Sequence, residues 1–356
     1  MSVFALSTGC FIGHEARLER ADLGPIELAS HTHDTLGIVL ASLGHGAARV
    51  VGVHCPCPSR GSALDLAADG DRWAAAANGV REAMELADAS GARYLVIHAF
   101  YCSAADLPAD DVERSIALRR PHGYRSISEY IRSDRYMEAR ERAKRNVKSL
   151  LPELRRRFPR QKIVLENLNP RFGYGGIRLE DVAAIAREFD GEVGICLDMG
   201  HLALSAAALG EQMEGAVLEA RELIWTTHIH ENFAGRHFVD RHWNESAPRP
   251  ALQEVDTHLP LLARYRRLEG EEVSEATTEN SAFAAMLDGV VHYTSQGNGE
   301  LVQGAVPVER LLSLLDPSAL RVLEFDSRYA PLDDILAEYG LARQGKHPRV
   351  RSQVAT

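Results

Sequence analysis

The sequence predicts an α/β fold, a (β/α)₈ barrel with loop insertions at its C-terminal mouth. Three observations carry this: eight short apolar runs rich in β-branched residues, segments of helical periodicity between them, and polar residues that terminate many of the runs. The runs fall at residues 3–7, 25–29, 50–54, 94–99, 162–167, 193–198, 225–230 and 321–325. Continuous apolar runs of this length are what parallel strands covered on both faces require, because no position along them faces water. The clearest helical segments are 71–89, where Val80, Ala83, Met84 and Ala87 share one face, and 134–158, where Met137, Ala139, Ala143, Val147 and Leu150 do. A doubly wound sheet has the same alternation, but no Gly-x-Gly-x-x-Gly follows the first run.

Two stretches exceed a minimal barrel: the polar segment 102–133 after the fourth run and the Glu-rich segment 243–293 after the seventh. Both follow strands, so both are expected over the mouth as lids or substrate walls within one domain spanning 1–340. The basic tail 341–356 is expected to fray.

The chain has 356 residues, 45% hydrophobic and 25% charged, and a net charge of −10. Such an acidic balance argues against broad affinity for a nucleic-acid backbone and leaves a small-molecule substrate as the expected partner. Nothing approaches the ~18–20 apolar residues that cross a bilayer, and Met-Ser-Val-Phe-Ala lacks the basic start of a signal peptide, so no membrane partner and a cytoplasmic location are expected. Five cysteines are too sparse for a disulfide framework. Cys55 and Cys57 lack the Cys-x-x-Cys spacing of a structural zinc site, and Cys196 reads as strand packing. A homo-oligomer stays open.

The chemistry sits at the strand ends. His54 closes Val-Val-Gly-Val-His, His98 closes Tyr-Leu-Val-Ile-His, Glu166 closes Lys-Ile-Val-Leu-Glu, and Asp198 closes Val-Gly-Ile-Cys-Leu-Asp. His228 lies in Trp-Thr-Thr-His-Ile-His and Glu324 follows Val-Leu. One strand-end histidine is more often a hydrogen-bonded core residue than a ligand, and a single glutamate is satisfied by an arginine such as Arg321 or Arg328. Six converging on one barrel mouth need a shared counter-charge, because each buried charge costs several kcal/mol unpaired. Imidazole with carboxylate favours Zn²⁺, Mn²⁺, Fe²⁺ or Co²⁺ over an ion liganded by oxygen alone.

The segment Val193-Gly-Ile-Cys-Leu-Asp-Met-Gly-His201, the strand ending Glu166-Asn, and His228-Ile-His-Glu-Asn-Phe-Ala-Gly-Arg-His-Phe-Val-Asp240-Arg-His242 resemble the xylose-isomerase-like barrel superfamily. That group includes sugar and sugar-phosphate isomerases and epimerases and the type-IV apurinic endonucleases. The resemblance runs from the third strand to Glu324 and implies a metal core of Glu166, Asp198, His228 and Glu324. Its endonuclease branch adds positions matching His54 and His98 at a first ion, and His201, Asp240 and His242 at others, giving one to three ions per chain. Asp256-Thr-His258 is a second Asp-x-His pair, but Asp240 and His242 are preferred because they follow His228 closely. The family's Gly-x-Gly turn is matched by Gly297-Asn-Gly299 only after roughly fifty intervening residues.

These residues imply first a metal-dependent isomerase or epimerase of a small hydroxylated carbonyl compound. Glu166 or Glu324 would be the base, His201 would orient a hydroxyl, and His230 and Arg328 would touch substrate. A phosphoester hydrolase with two or three ions is the alternative, and an iron-dependent oxidative enzyme a third. The leftover histidines His31, His33 and His237 are expected at the surface.

Overall fold

The computed structural model describes residues 3–19, 23–44, 50–59, 64–102, 127–170, 173–230, 306–324 and 332–344. Eight parallel strands close a barrel in the order β1 (Phe4–Ser7), β10 (Leu320–Leu323), β9 (Ile224–Ile229), β8 (Val193–Asp198), β6 (Lys162–Glu166), β4 (Tyr94–His98), β3 (Val50–His54) and β2 (Ile26–Leu28). This is the predicted (β/α)₈ architecture, with each strand within two residues of its expected bounds. Because all eight run the same way, their last residues converge on one mouth.

Strand register decides what faces the lumen. Ser7 pairs with Glu27 and Glu27 with Gly52, His54 pairs with Val96, His98 with Glu166, and Asp198 with His228, so these side chains share the inner face. Beneath them Tyr94, Val96, Val164 and Cys196 form a separate buried cluster inside the barrel, with Trp225 and Leu320 packed on it. Glycine makes room for two of its rings: a Cβ at Gly52 would lie 2.3 Å from the Tyr94 ring, and one at Gly194 2.2 Å from Trp225. The much larger second cluster fills the space between strands and helices.

The helix Gly70–Ser90 buries the predicted face Val80, Ala83, Met84 and Ala87, and stops at Gly91 in the left-handed conformation. The helix Asp134–Arg157 starts at a Ser133 cap and buries Tyr136 as well as the predicted alanines. Three corrections concern the outer layer. The segment 102–133 is not wholly loop: 103–126 lie outside the described residues, but Ile127–Tyr130 is helical and the Tyr130 hydroxyl donates to the Tyr174 carbonyl at 3.0 Å. A short antiparallel pair, β5 (Phe100–Tyr101) with β7 (Tyr174–Gly175), extends the mouth beside β4. The helix Leu332–Arg343 runs past Gly340, so part of the expected tail is ordered structure. The segment 243–293 lies outside the described residues.

One buried polar knot fixes the helices that flank the Glu166-bearing strand. Asp181, fully buried, accepts from the Tyr136 hydroxyl at 3.0 Å, from Arg140 at 2.9 Å and from Arg178 at 3.0 and 3.1 Å. Removing that acceptor leaves the buried phenol without it and the two guanidinium groups with only the more exposed Glu141 and Glu180. Asp181→Ala is expected to cost about 3–5 kcal/mol, read as a lower urea midpoint at unchanged slope.

Candidate metal centre

Glu166 ends β6 with 1% of its surface exposed, and its two oxygens face different groups. Oε2 is 2.8 Å from His54 Nε2 and 3.6 Å from His98 Nε2, whereas Oε1 is 3.4 Å from His228 Nδ1 and 3.7 Å from His201 Nδ1. Other groups engage the remaining imidazole nitrogens. His54 Nδ1 donates to the Cys55 carbonyl at 3.2 Å, His98 Nδ1 meets the Tyr101 hydroxyl, and His228 Nε2 donates to Glu27 Oε1 at 2.9 Å. His54 and His98 therefore present Nε2, and His228 presents Nδ1, toward the shared carboxylate. Past β10, Glu324 Oε2 lies 2.9 Å from His228 Nδ1, and its side chain, 17% exposed, is the most open of the central carboxylates.

The Asp-x-x-His spacing has a local cause. Asp198 caps the helix Met199–Leu209, Oδ1 accepting from the His201 amide at 2.6 Å, which places His201 on the opening turn above β8. His201 Nδ1 donates to the Asn167 carbonyl at 2.9 Å. Asn167 also binds the Asp198 backbone in both directions, at 2.8 and 3.0 Å, and ties the ends of β6 and β8 together. His230 Nε2 donates to both Asp198 oxygens at 2.9 and 3.0 Å, and its ring fits because position 200 is glycine, where a Cβ would lie 2.0 Å from it.

Three donor groupings result: His54, Glu166 and His228; Glu166, Asp198, His228 and Glu324; and Asp198, His201 and His230. The family described as xylose isomerase-like TIM barrel matches residues 45–260, more than half of the chain. The chain belongs to that family. Among solved structures similar to this one, a D-tagatose 3-epimerase-like protein has a TM-score of 0.53 at 15% identity and covers 97% of this chain and 99% of its own. A protein from Sinorhizobium meliloti 1021 has a TM-score of 0.52 at 14% identity over 97% and 98%. At these identities the likeness establishes the barrel alone. No curated protein matches.

The structure brings together seven of the residues singled out from the sequence: His54, His98, Glu166, Asp198, His201, His228 and Glu324. Asp240 and His242, the rival pair Asp256 and His258, and also Arg328 and His237, lie outside the described residues. His230, expected at substrate, is 1% exposed and held by Asp198. His31, expected at the surface, is buried with Nε2 2.6 Å from the Thr8 hydroxyl. Arg321 does not reach Glu166; its guanidinium lies over the Phe4 ring. The Cys57 thiol is pushed up to about 11 by burial, and Cys55 further, so both are held neutral. The residue that sequence reasoning missed is Glu27. Its signal was a carboxylate within the run 25–29, in the interior of the strand and not at the end where the other donors stand.

At this barrel mouth buried carboxylates and imidazoles shift one another's proton affinities. Burial opposes a charge on His54, yet Glu166 outweighs it and the net shift is upward. Burial opposes His228 too, and Cys196, Glu324, Glu27 and Glu166 carry it well above the ordinary histidine value. Glu166, which burial would raise, is held well below the usual carboxylate range by His228 and His54. His98 goes the other way, burial taking it down to about 4 despite Glu166. Nitrogen and oxygen donors, several of them buried, fit a divalent transition metal, which would replace those protons as counter-charge.

The sign of the pH effect follows. Without an ion, the protonated His54 and His228 stabilise the fold below pH 6.5, and that contribution is lost as pH rises through their raised values. An ion competes with those protons, so its affinity climbs over the same range. The gain in Tm on adding Zn²⁺ is expected to be larger at pH 8 than at pH 6. Calorimetry in buffers of different ionisation heat should read about two protons released at the lower pH.

Proposed function

We propose that this chain is a divalent-metal-dependent isomerase or epimerase acting on a small hydroxylated carbonyl compound, such as a sugar, a cyclitol or a derivative. Glu166, Asp198, His228 and Glu324 would hold the ion. When bound there, a divalent ion supplies Lewis acidity toward a carbonyl and its neighbouring hydroxyl. The observation that carries the reading is the unequal exposure of the two glutamates. Glu166 is enclosed with both oxygens facing imidazoles, while Glu324, paired with His228 Nδ1 at the partly open edge of the same group, would take a proton from carbon and return it to the adjacent one. His201, with Nδ1 anchored on the Asn167 carbonyl, would orient a hydroxyl of the substrate.

A second reading, phosphoester hydrolysis, is supported by the His54 and His98 pair on the far side of Glu166, which would hold a second ion. The acidic net charge of −10 favours a small substrate over a nucleic-acid duplex in either case.

The test incubates metal-loaded protein in D₂O with a panel of ketopentoses, ketohexoses and cyclitol ketones, and separately with bis(p-nitrophenyl) phosphate. Deuterium at a carbon-bound position beside a carbonyl is expected, with Glu324→Gln lowering the exchange rate by about 10²- to 10⁴-fold. Turnover of the phosphodiester, with no exchange on any panel member and two or more ions per chain, would replace the isomerase reading with the hydrolytic one.

A further inference from the structure

The interior carboxylate of β2 belongs to no part of the proposed chemistry so far. Glu27 sits between Ile26 and Leu28, and its register with Ser7 on one side and Gly52 on the other turns it into the lumen. It is fully buried. Its Oε1 accepts from His228 Nε2 at 2.9 Å, and its Oε2 has no hydrogen-bond partner among the described residues. A carboxylate buried with one oxygen unsatisfied is costly, and a leucine or glutamine would fill the same space more cheaply if packing were all that mattered.

Geometry accounts for the expense. An imidazole that binds an ion through one nitrogen must present the opposite N–H outward, and a carboxylate on that N–H fixes both the ring orientation and the tautomer. His228 has this arrangement: Nδ1 faces Glu166 and Glu324, Nε2 faces Glu27, and the ring is fully enclosed. The two residues come from strands on different sides of β1 and β10, so their contact spans the lumen. No other described carboxylate reaches Nε2 of this ring. Glu27 also adds a negative charge beside the central group without occupying a position toward the ion, which raises the attraction for a divalent cation over a proton.

We infer that Glu27 is a positioning residue: through His228 it orients the Nδ1 ligand and sets the affinity of the metal centre. This rests on the metal reading of the site given above, and not on which reaction the site performs. A purely structural Glu27–His228 pair would contribute to the stability of the metal-free fold and leave ion affinity unchanged.

The experiment titrates wild type, Glu27→Gln and Glu27→Ala with Co²⁺ against a chromophoric chelator and records the Co²⁺ visible spectrum, with circular dichroism and urea unfolding of each metal-free protein alongside. Glu27→Gln, nearly isosteric, is expected to fold and to bind Co²⁺ about 10-fold more weakly, and Glu27→Ala about 10- to 100-fold, each with shifted ligand-field bands. In a His228→Gln background, Glu27→Gln should produce no further loss, because the route through the ring is gone. Wild-type affinity and spectrum in a folded Glu27→Gln would overturn the inference while leaving the metal centre intact. Failure of the wild-type protein to take up Co²⁺ would overturn both. Co²⁺ uptake with phosphodiester turnover would leave Glu27 in its role and change only the reaction.

Discussion

The arrangement of the barrel mouth depends on one buried carboxylate shared between two pairs of imidazoles. Glu166 is nearly inaccessible, and each of its oxygens looks toward a different pair of histidines. Taken out of water, a glutamate either gains a proton or gains positive neighbours. Here His54 and His228 hold it ionised, and each is in turn fixed from behind, by the Cys55 carbonyl and by Glu27. The rest of the centre follows from keeping that anion in place: Asn167 beside it locks the ends of two strands, and Asp198 on the neighbouring strand caps a helix that supplies His201.

Parallel topology makes such a cluster affordable. With every strand ending at the same rim, single substitutions at strand ends add donors to a common site without disturbing the packed layers beneath or around it. The apolar cluster of Tyr94, Val96, Val164 and Cys196 keeps the lumen rigid below the polar layer, while Asp181 and its two arginines hold outer helices in register. Stability and chemistry are thereby assigned to different heights of one cylinder.

The sequence was legible where one rule applied at long strands. Val-Val-Gly-Val-His and Lys-Ile-Val-Leu-Glu announce both the strand and the misfit at its end, and seven expected residues come together for that reason. Glu27 escaped because it lies in the middle of the run 25–29, whereas the rule looked for misfits at strand ends. His31 was misplaced at the surface because burial of a histidine depends on a distant partner, here Thr8, and spacing alone carries no trace of that contact. The pairing of β5 with β7 joins residues some seventy positions apart through two-residue strands, below the length at which periodicity exists. The helix through Leu341 and Arg343 was missed because basic composition was taken for fraying, although a cation in a last helical turn is favourable.

The aromatic rings admitted by Gly52 and Gly194 have a consequence for traffic. Tyr94 and Trp225 crowd the lower end of the lumen, so the apolar cluster stands between the polar layer and the strand N-termini. An ion or small molecule held at Glu166 would then come and go past the strand C-termini. Water would share that route, and what stands over the rim would bear on the hydration of the centre.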